Sequence, residues 1–433
     1  MDTRSTQSFD VIIVGAGAAG LIAALELTLT GKSVAILEAK DRIGGRIFTI
    51  NDPLFESPVE AGAEFVHGNL ELTLDLLKKA AVKTTKIKGN FWQKDKEHLK
   101  EQENFIEDYS DLEKKFKELK TDLSVANFIS EHLAGDKYEE LRFTLKNYVE
   151  GYYAANTNKA STFSLCEELK SGDEEQYRIE GGYIELVNHL HRYSVDKGAL
   201  FFLSSPVKTI NWKKGNVEVI TENEIFRAKK LLLTVSLGVL QSRQIGFSPA
   251  ITSKMEAVQQ LGFGSVIKII IQFKDAFWKE KEITEDKDLS KMAFLFSDEA
   301  VPTWWTQNPK QVNILTGWLG GPNAERMKDL SSEEITEKAL ESLSRIFRLE
   351  ISFLKLKIIK VMNFNWTLDP FTCGGYAYEV VNGEKFRTEL KSSIEETIFF
   401  AGEGLHGGAQ IGTVEGALVS GRETAHQMIA TFN

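Results

Sequence analysis

Four apolar residues in a row, Val11-Ile12-Ile13-Val14, stand between a charged residue, Asp10, and a glycine-rich stretch. A short unbroken apolar run ended by a turn predicts a strand over 10–14 that is buried on both faces. Apolar residues then recur at helical spacing over 18–30, and Gly31 falls where a left-handed residue closes a helix. A second strand is predicted over 33–38. Short strands are predicted over 201–220 and 225–235, and the β-branched run Ser265–Phe273 predicts another. Residues 331–347 read as helix and 353–363 as strand. Ile398–Ala401 leads into a glycine-rich turn and a last helix ending near Ile429. From Leu70 to about Tyr153 the pattern is mostly helical and charge-rich, and Asp111–Lys120 is an amphipathic surface helix. Strand and helix clusters alternate without clean linkers, which predicts a mixed α/β, α+β fold of interleaved domains.

The first strand and helix flank Gly15-Ala16-Gly17-Ala18-Ala19-Gly20. In that setting GxGxxG has a mechanism. Gly15 permits the tight turn, Gly17 lets a pyrophosphate approach the backbone, and Gly20 lets helix and strand pack closely. The helix N-terminus then faces the phosphate charge. Glu38 ends the second strand, 23 residues after Gly15, placed to accept hydrogen bonds from an adenosine ribose. A glycine turn without ligand is the bland alternative, and the full strand, helix, strand and acid series argues against it.

Composition narrows the partners. The 433 residues carry 52 Lys+Arg against 62 Asp+Glu, a net charge of −10. That balance disfavours nucleic acid, whose phosphates demand a basic surface. Two cysteines, Cys166 and Cys373, make neither a disulfide framework nor a zinc spacing, so no metal is expected. They fit a reducing, cytoplasmic setting. Met1–Phe9 is polar and lacks the apolar core of a leader. Glycines, Asp10 and Glu26 interrupt the longest apolar stretch, so no membrane partner is expected.

The residues after Glu38 are more specific: Ala39-Lys40-Asp41-Arg42-Ile43-Gly44-Gly45-Arg46. The whole segment resembles the extended flavin fingerprint of the flavin-dependent amine oxidase superfamily. That group includes monoamine oxidases, polyamine oxidases, lysine-specific histone demethylases and L-amino acid oxidases. Further matches run along most of the chain. Glu60-Ala61-Gly62-Ala63-Glu64-Phe65 resembles the strand that passes the isoalloxazine, and Tyr177–Tyr183 the return from the substrate domain. Val207 resembles the valine whose backbone meets adenine. Thr234–Leu240 resembles a TVPLGVL segment, with Ser236 in place of proline. Gly402-Glu403 and Thr413-Val414 resemble the second flavin-binding stretch, where the last helix aims its N-terminus at the flavin.

The resemblance implies FAD as cofactor, held by these segments. It implies a Rossmann-like FAD-binding domain (1–85, 184–257 and 369–433) interleaved with a helix-plus-sheet substrate-binding domain (86–183 and 258–368). The partners implied are a small-molecule amine and O2, with the oligomeric state, homodimer included, left open. Gly375 replaces the cysteine that carries the flavin covalently in mitochondrial monoamine oxidases, so the FAD is expected to be non-covalent.

Five residues are candidates for the reacting site. Lys268, amid β-branched neighbours, is either buried with a partner or snorkelling from an edge strand. In the family this lysine holds a water at the flavin N5. Trp366 and Tyr376 match the tryptophan beside the isoalloxazine and the tyrosine that orients the amine; core packing is the bland alternative. Thr413, in place of a second cage tyrosine, and His67 resemble the polyamine oxidase and demethylase branch. His67 is equally readable as structural. Glu64 is either the partner of a distal ammonium or a satisfied polar residue. Trp304, Trp305 and Trp318 are candidate lining or core.

The implied reaction takes a hydride equivalent from a neutral amine. The imine hydrolyses to an aldehyde or ketone, and O2 becomes hydrogen peroxide. L-amino acid oxidase ranks lower, because an acid stands where a carboxylate-clamping arginine is expected. A flavin desaturase is disfavoured by Lys268, and a flavin-containing binding module is the non-enzymatic alternative. The histone demethylases add a helical tower and a further domain, for which 433 residues leave no room.

Overall fold

Val11–Val14 is apolar throughout because it lies inside a sheet. The strand Thr6–Val14 pairs in parallel with Val34–Leu37 on one side and with Ile225–Leu233 on the other. The computed structural model describes residues 6–95, 98–102, 109–170, 175–284 and 286–432. Helix Ala18–Leu29 joins the first two strands, and Gly31 follows its end at φ +76°. The first half of Ile225–Leu233 pairs antiparallel with Asn216–Ile220. Its second half takes Ile398–Phe400, delivered from near the other end of the chain. With Leu200–Phe202, Thr209–Lys213 and Gly246–Ser248 this makes an eight-stranded sheet. Helix Val414–Ala430 packs on Ala18–Leu29 closely enough that Gly421 meets the backbone of Ala19.

A second, seven-stranded sheet is built around Val266–Phe273, in which every residue is buried. That strand is flanked antiparallel by Ile314–Gly320 and Ile358–Asn365. Thr303–Thr306, Met292–Phe296, Asn90–Asp95 and His98–Gln102 complete the sheet. A small third sheet joins Val66–His67, Gln176–Ile179 and Thr84–Lys86. Helices between residues 109 and 170 form a separate apolar cluster around Phe116, Phe128 and Leu145. Among the described residues, no helix is long and apolar enough to cross a membrane.

Two expectations are amended. The stretch from Leu70 to Tyr153 is mostly helical, but it also holds three strands that the pattern did not show, Thr84–Lys86, Asn90–Asp95 and His98–Gln102. Phe91 and Trp92 favour a pleated surface, and the lysines and acids around them hid the alternation. Residues 353–363 are not one strand: helix Ile351–Lys357 precedes strand Ile358–Asn365. Leu354 turns into the core beside Leu343 and Phe347, so packing overrides a run that suits either element.

Candidate active site

The glycine turn is assembled from three kinds of contact. A Cβ on Gly20 would fall 2.0 Å from the carbonyl oxygen of Gly15, and one on Gly15, at φ +108°, 2.8 Å from Thr234 Oγ1. Both glycines are required by packing. Gly17 differs: no atom lies within 4 Å of where its Cβ would stand, because it faces open cavity. Glu38 fixes the turn, its Oε2 accepting from the Ala16 N–H at 2.8 Å and its Oε1 from the Lys40 N–H at 2.9 Å. Ala18, Ala19, Ala39 and Val207 line the same arm. The Gly44-Gly45 turn closes on it through a bridge between Gly17 and Gly44, and Arg42 clasps that turn by donating to the carbonyls of Gly45 and Ile47.

Arg46 leaves this turn and donates to Glu403 Oε1 at 2.5 Å and to the Gly375 carbonyl at 2.7 Å. Glu403 Oε2 is buried with no hydrogen-bond partner among the described residues. Gly402, at φ +155°, also faces open space. Thr413 caps the last helix, its Oγ1 accepting from the Gly416 N–H at 3.0 Å and donating to the Gln410 carbonyl at 2.7 Å. That helix end, with Val414, lines the cavity. A buried carboxylate oxygen awaiting a donor, two glycines with room before them and a helix N-terminus fit a flavin dinucleotide.

Lys268 lies on an interior strand with 1% of its side chain exposed, which excludes the snorkelling alternative. Its Nζ meets Glu64 Oε2 at 2.5 Å and the Gly62 carbonyl at 3.2 Å. Arg178 pairs with Glu64 Oε1, which also accepts from Trp305 Nε1 at 3.0 Å. Burial alone would raise the Glu64 carboxyl, and the two cations hold it well below the usual range. Glu64 is thus a satisfied member of a buried ionic triad. Trp366 packs beside Gly62, with Nε1 donating to the Ala61 carbonyl at 2.8 Å. Behind these residues Glu60 accepts from the Tyr183 N–H at 2.7 Å and from Thr49 Oγ1 at 2.9 Å, and burial pushes its pKa up to about 7.

Beyond the triad the walls become aromatic. Tyr376 and Trp318 lie nearly parallel, 6.3 Å between centroids. A group between them needs about 7 Å of carbon contacts, so the two rings form one wall. Tyr376 donates to the Tyr152 carbonyl, and Tyr152 OH lies 3.2 Å from His67 Nδ1. Burial lowers the His67 pKa to about 4. Tyr152 ends a π-helical turn, Tyr148–Tyr152, of the kind found beside functional sites.

All the residues proposed from the sequence for the cofactor and the reacting site, except Gly20, line one cavity of about 1090 Å³, and Gly20 sits directly beneath it. Trp305 and Trp318 line it too, whereas Trp304 points into the core. Sequence reasoning missed Arg178 and Tyr152. Arg178 falls within Tyr177–Tyr183, a segment matched to the family, but nothing there pointed to its pairing, since its partner is 114 positions away.

The family model for flavin-containing amine oxidoreductases matches residues 18–133 and 90–429. The chain is 26% identical to Arabidopsis thaliana lysine-specific histone demethylase 1 homolog 1, over 96% of this chain and 52% of that protein. It is 28% identical to Arabidopsis thaliana polyamine oxidase 2, over 97% of this chain and 88% of that one. The chain spans about half the length of the demethylases it matches. Wild-type putrescine oxidase bound to putrescine shares the fold, with a TM-score of 0.80 at 21% identity, covering 98% of this chain and all of the other. The glycine turn, the unpartnered Glu403 oxygen and a family match across nearly the whole length agree: this chain belongs to the flavin-containing amine oxidoreductases, and its cofactor is FAD.

Proposed function

We propose that the chain oxidises an amine, holds FAD without a covalent link and passes the electrons to O2, releasing hydrogen peroxide. The observation that carries this reading is Lys268, buried where the glycine-walled arm meets the aromatic-walled chamber. When bound, the flavin supplies the redox chemistry, accepting a hydride equivalent from the carbon that bears the amine. The chain positions and shields. Gly15 through Gly20, Glu38–Lys40, Gly44–Arg46, Val207 and Gly402-Glu403 hold the cofactor, with Thr413 and Val414 presenting the helix end. Gly62–Phe65 and Trp366 would flank its reacting ring. Two of the three Lys268 N–H donors are taken by Glu64 and Gly62, and one is left for the reacting end. His67, neutral above about pH 5, does not repel an incoming ammonium. Tyr376 and Trp318 confine the amine from one side.

Cysteine placement supports the non-covalent link. Cys373 Sγ donates to the Pro370 carbonyl, accepts from Gln244 Nε2 and is not part of the cavity lining, and Cys166 packs among the helices. A Cβ at Gly375 would come 2.3 Å from Val266 Cγ2, so a cysteine does not fit there without movement. The amino acid oxidase reading is weaker, because the one arginine lining the described cavity, Arg46, belongs to Glu403. We also propose that the eight-stranded sheet, with 1–85, 184–257 and 369–433, serves the cofactor. The second sheet and the helices, 86–183 and 258–368, serve the amine.

The test is peroxide release from spermine, putrescine, benzylamine, tyramine, several L-amino acids and a dimethyl-lysine peptide. Turnover of amines is expected, and turnover of amino acids alone overturns the reading. Lys268→Met should slow the flavin half-reactions about a hundredfold. Acid should release yellow FAD from the denatured chain.

A further inference from the structure

We infer that the amine is carried on an extended apolar group, a long alkyl or aryl-alkyl chain, and that the chamber is built against polyamines. The inference rests on the amine oxidase reading and names its substrate class.

The chamber wall is a run of touching aromatic rings. Tyr376 contacts Trp318, Trp318 contacts Trp305 at 5.9 Å, and Trp305 contacts Phe294 at 6.0 Å. Phe294 then stacks on Phe91 at 5.6 Å and 10° and on Phe296 at 6.3 Å and 3°. The wall follows from strand register. Asn90–Asp95 runs parallel to Met292–Phe296, with Phe91 opposite Phe294. Alternation sends Trp92 and Leu295 into the core, and the register shift between Met292 and Phe294 lets Met292 join them there. It leaves Phe91, Phe294 and Phe296 half-buried on the cavity side. A sheet with large apolar side chains on both faces needs both faces covered, and here the cavity side meets the space a substrate would fill.

Charge points the same way. Among the described residues the chamber is lined by three carboxylates, Glu64, Glu168 and Glu175, and three ammonium groups, Lys86, Lys170 and Lys268. Glu64 is committed to Lys268 and Arg178, and Glu175 to Lys86 and Tyr177. A second or third ammonium on the substrate would lose its water against phenylalanine faces, where the charges of the described lining residues balance. A methylene in the same place gains affinity.

The test uses the purified FAD-loaded enzyme and matched pairs: n-alkylamines from propylamine to decylamine against the α,ω-diamines of equal length, with spermine and a dimethyl-lysine peptide. Two readouts are taken, kcat/KM for peroxide release and the amine-induced change in flavin absorbance without O2. Both should improve about fourfold per methylene until the wall is covered. 1,8-Diaminooctane should fall at least tenfold behind octylamine. Phe91→Gln and Phe296→Gln should each flatten the chain-length slope. Diamines or spermine equal to or better than the matched monoamines overturn the inference, as does a slope unmoved in both variants. If no amine is turned over, the absorbance readout still decides: tighter binding of long monoamines upholds the apolar site while the oxidase reading fails, and equal binding of diamines overturns the inference.

Discussion

The adenosine arm and the amine chamber are parts of one cavity, but they are built on different terms. In the arm, backbone does most of the work: glycines, a helix N-terminus and a carboxylate, Glu38, that holds the backbone N–H groups of Ala16 and Lys40. In the chamber, side chains do it: a buried triad and an aromatic wall whose members come from five separated segments. The arm is specified by local geometry that few other residues can adopt. The chamber is specified by pairings that exist only once the chain is folded, so it is where relatives can diverge while keeping the cofactor.

The largest effects should come from contrasting two glycines of the arm. Gly20→Val places side-chain atoms against backbone and should abolish soluble, folded protein. Gly17→Val meets open space at φ −78°, so it should fold with near-normal Tm yet bind FAD at least a hundredfold more weakly. Normal flavin content in Gly17→Val would break the distinction between packing glycine and cofactor glycine. Next is the chamber's triad. Glu64→Gln leaves Lys268 and Arg178 buried without their counter-charge and should cost about 3–5 kcal/mol in denaturant unfolding. Replacing all three charges by apolar residues should recover much of that loss, and an unaltered midpoint for Glu64→Gln would show that the triad does not hold the chamber.

A smaller effect should appear as pH dependence. Glu60 is raised from 4.5 to about 7, so the folded chain keeps a proton that the unfolded chain has released. Its contribution is fully present below pH 4.5 and is lost as pH rises through 7, by about 1–3 kcal/mol. Glu60→Gln should flatten stability across that window. Glu64 works in the opposite direction: its lowered pKa contributes stability above the ordinary carboxylate range that is lost on acidification. The smallest effect is expected for Glu415→Ala. Glu415 accepts from the Leu72 and Thr73 N–H groups at 2.9 and 2.7 Å and so caps helix Glu71–Lys79, which lacks a side-chain cap of its own. Its loss should cost about 1–2 kcal/mol in thermal unfolding.

The same contrast explains what could be read in advance. The first strand, helix and second strand were legible because an apolar run, a helical repeat and glycines at fixed offsets are local signals. Lys268 was legible as buried, since few lysines sit among so many β-branched residues. Its partner was not, because Glu64 lies 204 positions away and an acid in that segment admits several readings. The strands at 84–102 were hidden because lysines and glutamines interrupt the alternation there. Lys94 and Gln102 are nevertheless buried, Gln102 bonded to Gln93 across the hairpin. Phe91 gave no hint of its role, since its meaning depends on standing opposite Phe294.

The strand Ile398–Phe400 has a consequence for how the enzyme comes into being. A chain is synthesised from its N-terminus, so the glycine turn emerges before Ile398–Phe400, and the edge of Leu231–Leu233 stays open until that strand has been made. Gly402, Glu403 and Thr413 follow that strand within a few residues. The dinucleotide therefore has only a half-site to meet until that strand and the residues after it have been made: a product cut short before residue 398 remains colourless.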